Sequence, residues 1–203
     1  MKKYSNFNKN DCNEFEKPKL CLKLKEKYNG GENGEFLSIE KEIVDGISIY
    51  IAWVKPYNNI ELFKGKVGMS ESNGKEHWIV LSTQLKDHDD AGWIEHEKGH
   101  IIGYSKGYDK KIGTVIDKNK VFNLETYPNV WFEFEPFKRQ MLFLKNIKKL
   151  PPLTIIRNMM KDYENSTSHK GKIDELKQIE QFFIEFYKEY VEDVDINNKY
   201  NKK

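Results

Sequence analysis

The sequence predicts an α+β fold: a mixed or antiparallel β-sheet in the first half, one isolated helix in the middle and a mostly helical second half. Three observations predict it. Residues 36 to 54 alternate with a period of two around Asp45-Gly46, which is the pattern of a hairpin closed by a tight turn. His77-Trp78-Ile79-Val80-Leu81-Ser82-Thr83 is a short run rich in β-branched and aromatic residues, as strands are. Beyond Pro128 the apolar residues recur at helical spacing almost to the end of the chain.

At 203 residues with 38% hydrophobic content, the chain is long enough for one cored domain, expected over 1–195 with a frayed, Asn/Lys-rich tail at 196–203. Its sheet-rich part is expected over 30–85, the middle helix over 89–103 and the helical part over 129–194. In order, residues 11–28 read as a short helix broken by Pro18, and Asn29 to Gly34 as a loop. The hairpin follows, with its second strand from Ile47 to Val54. A third strand is expected over Ile60 to Met69, a loop over Ser70 to Lys75, and the fourth strand from His77. Asp87, Asp89 and Asp90 offer N-cap and first-turn carboxylates for the middle helix. A small hairpin is expected over Ile112 to Phe122. Three helices complete the chain, over Val130 to Leu150, Leu153 to Tyr163 and Ile173 to Val194, with Pro151-Pro152 separating the first two.

Lys+Arg 34 against Asp+Glu 32 leaves a formal charge of +2, and the two signs are interleaved, so no nucleic-acid partner is expected. The first residues, MKKYSNFNKND, lack the apolar stretch of a signal peptide, and no run approaches the ~18 apolar residues of a membrane span. A cytosolic chain without a membrane partner is expected. Cys12 and Cys21 do not form a disulfide scaffold on this reading; they are expected as small buried thiols on one side of the N-terminal helix.

Chemistry concentrates in EHEKGH, residues 95 to 100. On a helix turning about 100° per residue, His96 and His100 project from one face a turn apart, close enough to grip one ion. Glu97 points aside, where it can reach a water on that ion without ligating it. Gly92, Gly99 and Gly103 fall on or near the histidine side; Ala91, Ile94, Ile101 and Ile102 fall opposite. Each glycine costs about 1 kcal/mol relative to Ala in a helix, a cost that makes sense where another element must approach the backbone closely. Chance places H-E-x-x-H in a chain of this composition about once in a hundred sequences, and the helix period and apolar back raise the odds of a metal site further.

His96-Glu97-Lys98-Gly99-His100-Ile101-Ile102-Gly103 resembles the H-E-x-G-H-x-x-G helix of the zincin metallopeptidases, over about 15 residues. The resemblance implies a zincin-like fold, a Zn²⁺ cofactor, a peptide or protein substrate, and Glu97 as the base that activates a zinc-bound water. Lys98 departs from it, standing where an aliphatic residue is usual; placed on the buried back, its stem must snorkel outward. A catalytic zinc needs a third protein ligand. In the metzincin branch that ligand lies six residues after the second histidine, where this chain has Lys106, so that branch is rejected. The gluzincin branch takes a Glu from a later helix. Trp131-Phe132-Glu133-Phe134-Glu135-Pro136-Phe137 resembles that segment, with Glu133 at the ligand position, Glu135 as the second choice, and Phe137 where an Asp or Asn often supports the histidines. The competing reading makes both glutamates exposed acids at a helix start. Glu125, Asp109 and His77 are weaker candidates; His77 and His88 read better as surface histidines, and His169, in a polar loop, suggests nothing. Tyr104 and Tyr108 fit aromatic packing better than a phenol aimed at the reaction. In zincins the edge strand before the helix pairs with extended substrate, a role the resemblance gives to Ile79 to Thr83.

A second class of function remains open: a catalytically inactive zincin-like binding module of a phage or mobile element. A third, a helical interaction protein, would use Ile179, Phe182, Phe183, Phe186, Tyr187 and Tyr190; that stripe is better read as core.

Overall fold

The computed structural model describes residues 12–28, 34–56, 68–73, 75–106, 130–165 and 171–192. They fall into two compact units, Met1–Asp89 and Asp90–Lys203.

In the first unit, helix α1 (Pro18–Tyr28) starts at its proline, whose missing N–H costs nothing at a first helical position. Strands β1 (Gly34–Val44) and β2 (Ile47–Pro56) form the expected hairpin. Asp45 and Gly46 close it with φ of 50° and 80°, the two left-handed positions of a turn that matches strand twist. Strands β3 (Gly68–Ser72) and β4 (His77–Ser82) complete a four-stranded sheet of order β1-β2-β4-β3, with β2 parallel to β4 and the other pairs antiparallel. Tyr50, Ala52 and Val54 alternate with Ile49, Ile51 and Trp53, and all six are buried, the signature of central strands enclosed on both faces. α1 covers one face, setting Leu20, Cys21 and Leu24 against Phe36, Tyr50, Ala52, Trp78 and Val80. Burying each of the larger side chains is worth about 1.5–3 kcal/mol. A short helix, α2 (Leu85–His88), ends the unit.

Three expectations for this unit are corrected. The third strand lies at 68–72, so part of the expected loop at 70–75 is strand; most of the expected strand, 60–67, falls outside the described residues. β4 is internal, with β2 on one side and β3 on the other, so its ladder hydrogen bonds are taken and Ile79 to Thr83 cannot serve as a substrate-pairing edge. Cys12 and Cys21 are a disulfide, with Cα atoms 5.6 Å apart. Because Pro18 starts α1 after Cys12, the two cysteines do not share a helix; the chain doubles back through residues 14–17 and brings Cys12 onto Cys21 within bonding range.

The second unit holds α3 (Trp93–Ser105), α4 (Val130–Asn146), α5 (Pro152–Asn165) and α6 (Ile173–Tyr187), the last continued by a π turn, Lys188–Glu192. α4 packs along α3 on one side. On the other, its Phe137, Met141 and Leu144 join Ile155, Ile156, Met159 and Met160 of α5 and Ile179, Phe183, Phe186 and Tyr187 of α6 in one core. The C-terminal aromatic stripe is therefore core, as expected.

The middle helix begins later than the aspartates suggest. Its N-cap is Gly92, at φ 76°, with no side-chain cap. A left-handed backbone there favours glycine, and a Cβ would also meet Gln140 Cγ and Phe143 Cδ1, each at 3.2 Å. Asp90 is instead an ion-pair partner of Lys148, at 2.9 Å. The hairpin expected over 112–122, and with it Tyr108, Asp109, Glu125 and His169, lies outside the described residues. No helix among the described residues is long and apolar enough to cross a membrane.

Candidate metal centre

α3 presents His96 and His100 on one face with ring centroids 5.0 Å apart, as a one-turn spacing dictates. What meets them is decided by Gly99. A Cβ on that residue would lie 2.4 Å from both N and Cα of Pro136 and 2.7 Å from the carbonyl carbon of Glu135. Only a residue without a side chain lets α4 come this close. Pro136, inside α4, has no N–H to leave unsatisfied against the facing helix.

This approach carries Glu133, in the first turn of α4, to the histidines. Its Oε2 lies 3.4 Å from His96 Nε2 and 3.8 Å from His100 Nε2. The three ligand atoms all fall within 4.8 Å of one another, and the group could hold a metal ion. Both histidines are 8% exposed. Glu135, the second choice, accepts an ion pair from Lys106 Nζ at 2.5 Å and is not in the group; nor is His77, which meets Ser72 Oγ through Nδ1 at 2.9 Å in the first unit.

The donor set fits a divalent cation on physical grounds. Three donors each about 2.0–2.1 Å from a tetrahedral ion sit about 3.3–3.4 Å apart; Glu133 Oε2 stands 3.4 and 3.8 Å from the two imidazole nitrogens, longer than a good hydrogen bond. The proton inventory agrees. Gln140 Nε2 donates to the Ala91 carbonyl at 2.7 Å, and a carbonyl only accepts. The other end of the amide, Oε1, therefore faces His96 Nδ1, at 3.0 Å, and accepts its proton. In the neutral ring this leaves a lone pair on Nε2, the atom 3.4 Å from the Glu133 oxygen, and a cation, whether a proton or a metal ion, relieves that pairing. Phe137, standing where the resembled segment often has an Asp or Asn, packs its ring on His96, centroids 5.8 Å apart, and Gln140 is the side chain within hydrogen-bond distance of that ring. Helical spacing could have found it, since 133, 137 and 140 lie along one face.

Glu97 is buried beside His96, 9% exposed, about 100° further round the helix. Tyr104 is half-buried one turn beyond His100. Lys98 does not snorkel out as expected: it is 7% exposed, and its Nζ donates to Glu95 Oε1 at 2.9 Å. Arg139 Nη2 donates to the other oxygen of Glu95 at 2.8 Å. Burial pushes the Glu95 carboxyl up, but the hydrogen bonds and charges of Lys98 and Arg139 more than reverse this and hold it below the usual carboxylate range. Lys98 stays inside because a carboxylate meets its charge there. The apolar back is confirmed at Ile101 and Ile102, both buried.

Compared with known proteins, the chain matches no family model, no curated protein and no solved structure.

Proposed function

We propose that this chain is a zinc-dependent peptidase acting on peptide or protein substrates, with His96, His100 and Glu133 as zinc ligands and Glu97 as the general base. The observation that carries the reading is the convergence of the two Nε2 atoms on one Glu133 oxygen, with the buried carboxylate of Glu97 at the next position after His96. When bound, the ion supplies a Lewis acid and brings the pKa of a water close to neutrality. Glu97 accepts the proton of the attacking water and passes it to the leaving amine; no side chain becomes covalently attached to substrate. Peptide as the substrate rests on the resemblance of residues 96 to 103 to the zincin helix.

The test is zinc content and cleavage of a peptide library by the wild type and by Glu97→Gln. Both should hold stoichiometric zinc, and turnover should fall by orders of magnitude in the variant. Zinc without cleavage in the wild type would turn the reading toward a binding module, and a chain that takes up no zinc would sink it.

A further inference from the structure

α4 grips α3 with two consecutive residues: Arg139 holds Glu95, and Gln140 holds His96 and the Ala91 carbonyl together. Gln140 is 2% exposed, so water does not compete for either end of its amide. With Nε2 committed to the Ala91 carbonyl the amide cannot flip, and only one orientation satisfies both contacts. The amide is also uncharged, so it orients the ring without placing a second anion beside Glu133.

We infer that Gln140 is a positioning residue that keeps the proton of His96 on Nδ1 and thereby delivers the Nε2 lone pair to the side where His100 and Glu133 converge. The consequence for metal affinity rests on the proposed metal site, whereas the position of the proton does not. Outer partners of this kind are worth about 10- to 100-fold in metal affinity. Arg139 and Gln140 together make the ring's orientation a property of helix packing, set before any ion arrives.

The experiment is ¹⁵N–¹H NMR of the histidine rings in the full zinc-free chain at pH 8, with zinc affinity measured separately by chelator competition. In the wild type, His96 should show a slowly exchanging Nδ1–H. Gln140→Met, similar in shape but without a strong acceptor, should lose that signal and bind zinc about 10- to 100-fold more weakly. Gln140→Glu keeps an acceptor and should retain the signal. A wild-type His96 without a proton on Nδ1 overturns the inference, as does a Gln140→Met chain with the wild-type signal and affinity. Should Gln140→Met fail to fold, the wild-type chain still decides, since a His96 ring proton on Nε2 with Nδ1 bare overturns the inference. A wild type that shows the Nδ1–H yet takes up no zinc supports this inference and removes the peptidase reading; one that binds zinc and cleaves with Nδ1 bare does the reverse.

Discussion

Glu133 and Glu135 sit two residues apart on one helix, and their carboxylates meet opposite fates. Glu133 turns toward two imidazoles and Glu135 toward an amine that is 46% exposed. Replacing Glu133 with Ala should abolish stoichiometric zinc retention. Glu135→Ala should leave zinc in place and cost under about 1 kcal/mol, because a half-exposed lysine regains its hydration; metal analysis and urea denaturation check both. His77 offers a prediction of a different kind. Burial lowers its pKa below the ordinary 6.5, so the folded chain keeps it neutral where the unfolded chain has begun to protonate. Its contribution is present above pH 6.5 and is lost as pH falls from there through the lowered folded value. A ring titration followed by NMR should therefore have its midpoint under 6.5, and His77→Gln should flatten that part of the stability profile.

Between elements, α3 and α4 come very close where Gly99 faces Pro136. Gly99→Ala gains about 1 kcal/mol of helix propensity but drives a methyl into the backbone of Pro136, and overpacking of that kind costs about 1–3 kcal/mol or more. The expected net result is lower stability together with weaker zinc binding, since any outward shift of α4 carries Glu133 with it. A Gly99→Ala chain as stable as the wild type, with unchanged affinity, would show that α4 is not held by this contact. In the other unit, the Cys12–Cys21 bond closes a short loop onto α1. Reduction, or replacement of both cysteines by Ala, should cost about 2–3 kcal/mol, read from denaturation with and without reductant. Structural disulfides persist in oxidising compartments and are rare in the cytosol, so this bond weighs against the cytosolic location expected from the N-terminal sequence.

Across the whole molecule, the group His96, His100 and Glu133 belongs entirely to the Asp90–Lys203 unit. Zinc that binds only the folded chain stabilises it by mass action, by about 2.7 kcal/mol at a free concentration 100 times Kd. Stripping the metal should therefore lower protection from hydrogen exchange in α3 and α4, while the amides of β2 and β4 keep theirs. Equal loss in both units would show that they unfold as one.

The sequence by itself determined whatever is local and periodic. Asp45-Gly46 placed the hairpin turn, the four-residue spacing placed His96 and His100 on one helical face, and the stripe from Ile179 to Tyr187 placed the core side of α6. Local rules misled where two elements compete. Three aspartates looked like a cap for α3, but the need to pass close to Gln140 and Phe143 gave that position to Gly92. Lys98 looked bound for solvent until Glu95 met it inside. Only the tertiary structure brought Glu133, and not Glu135, to the histidines, revealed Gln140, moved β4 from the edge to the interior and joined Cys12 to Cys21. The physical reason is the same in each case. A ligand, a buried hydrogen bond or a disulfide depends on the separation of groups distant along the chain, and packing at contacts such as Gly99 against Pro136 sets that separation.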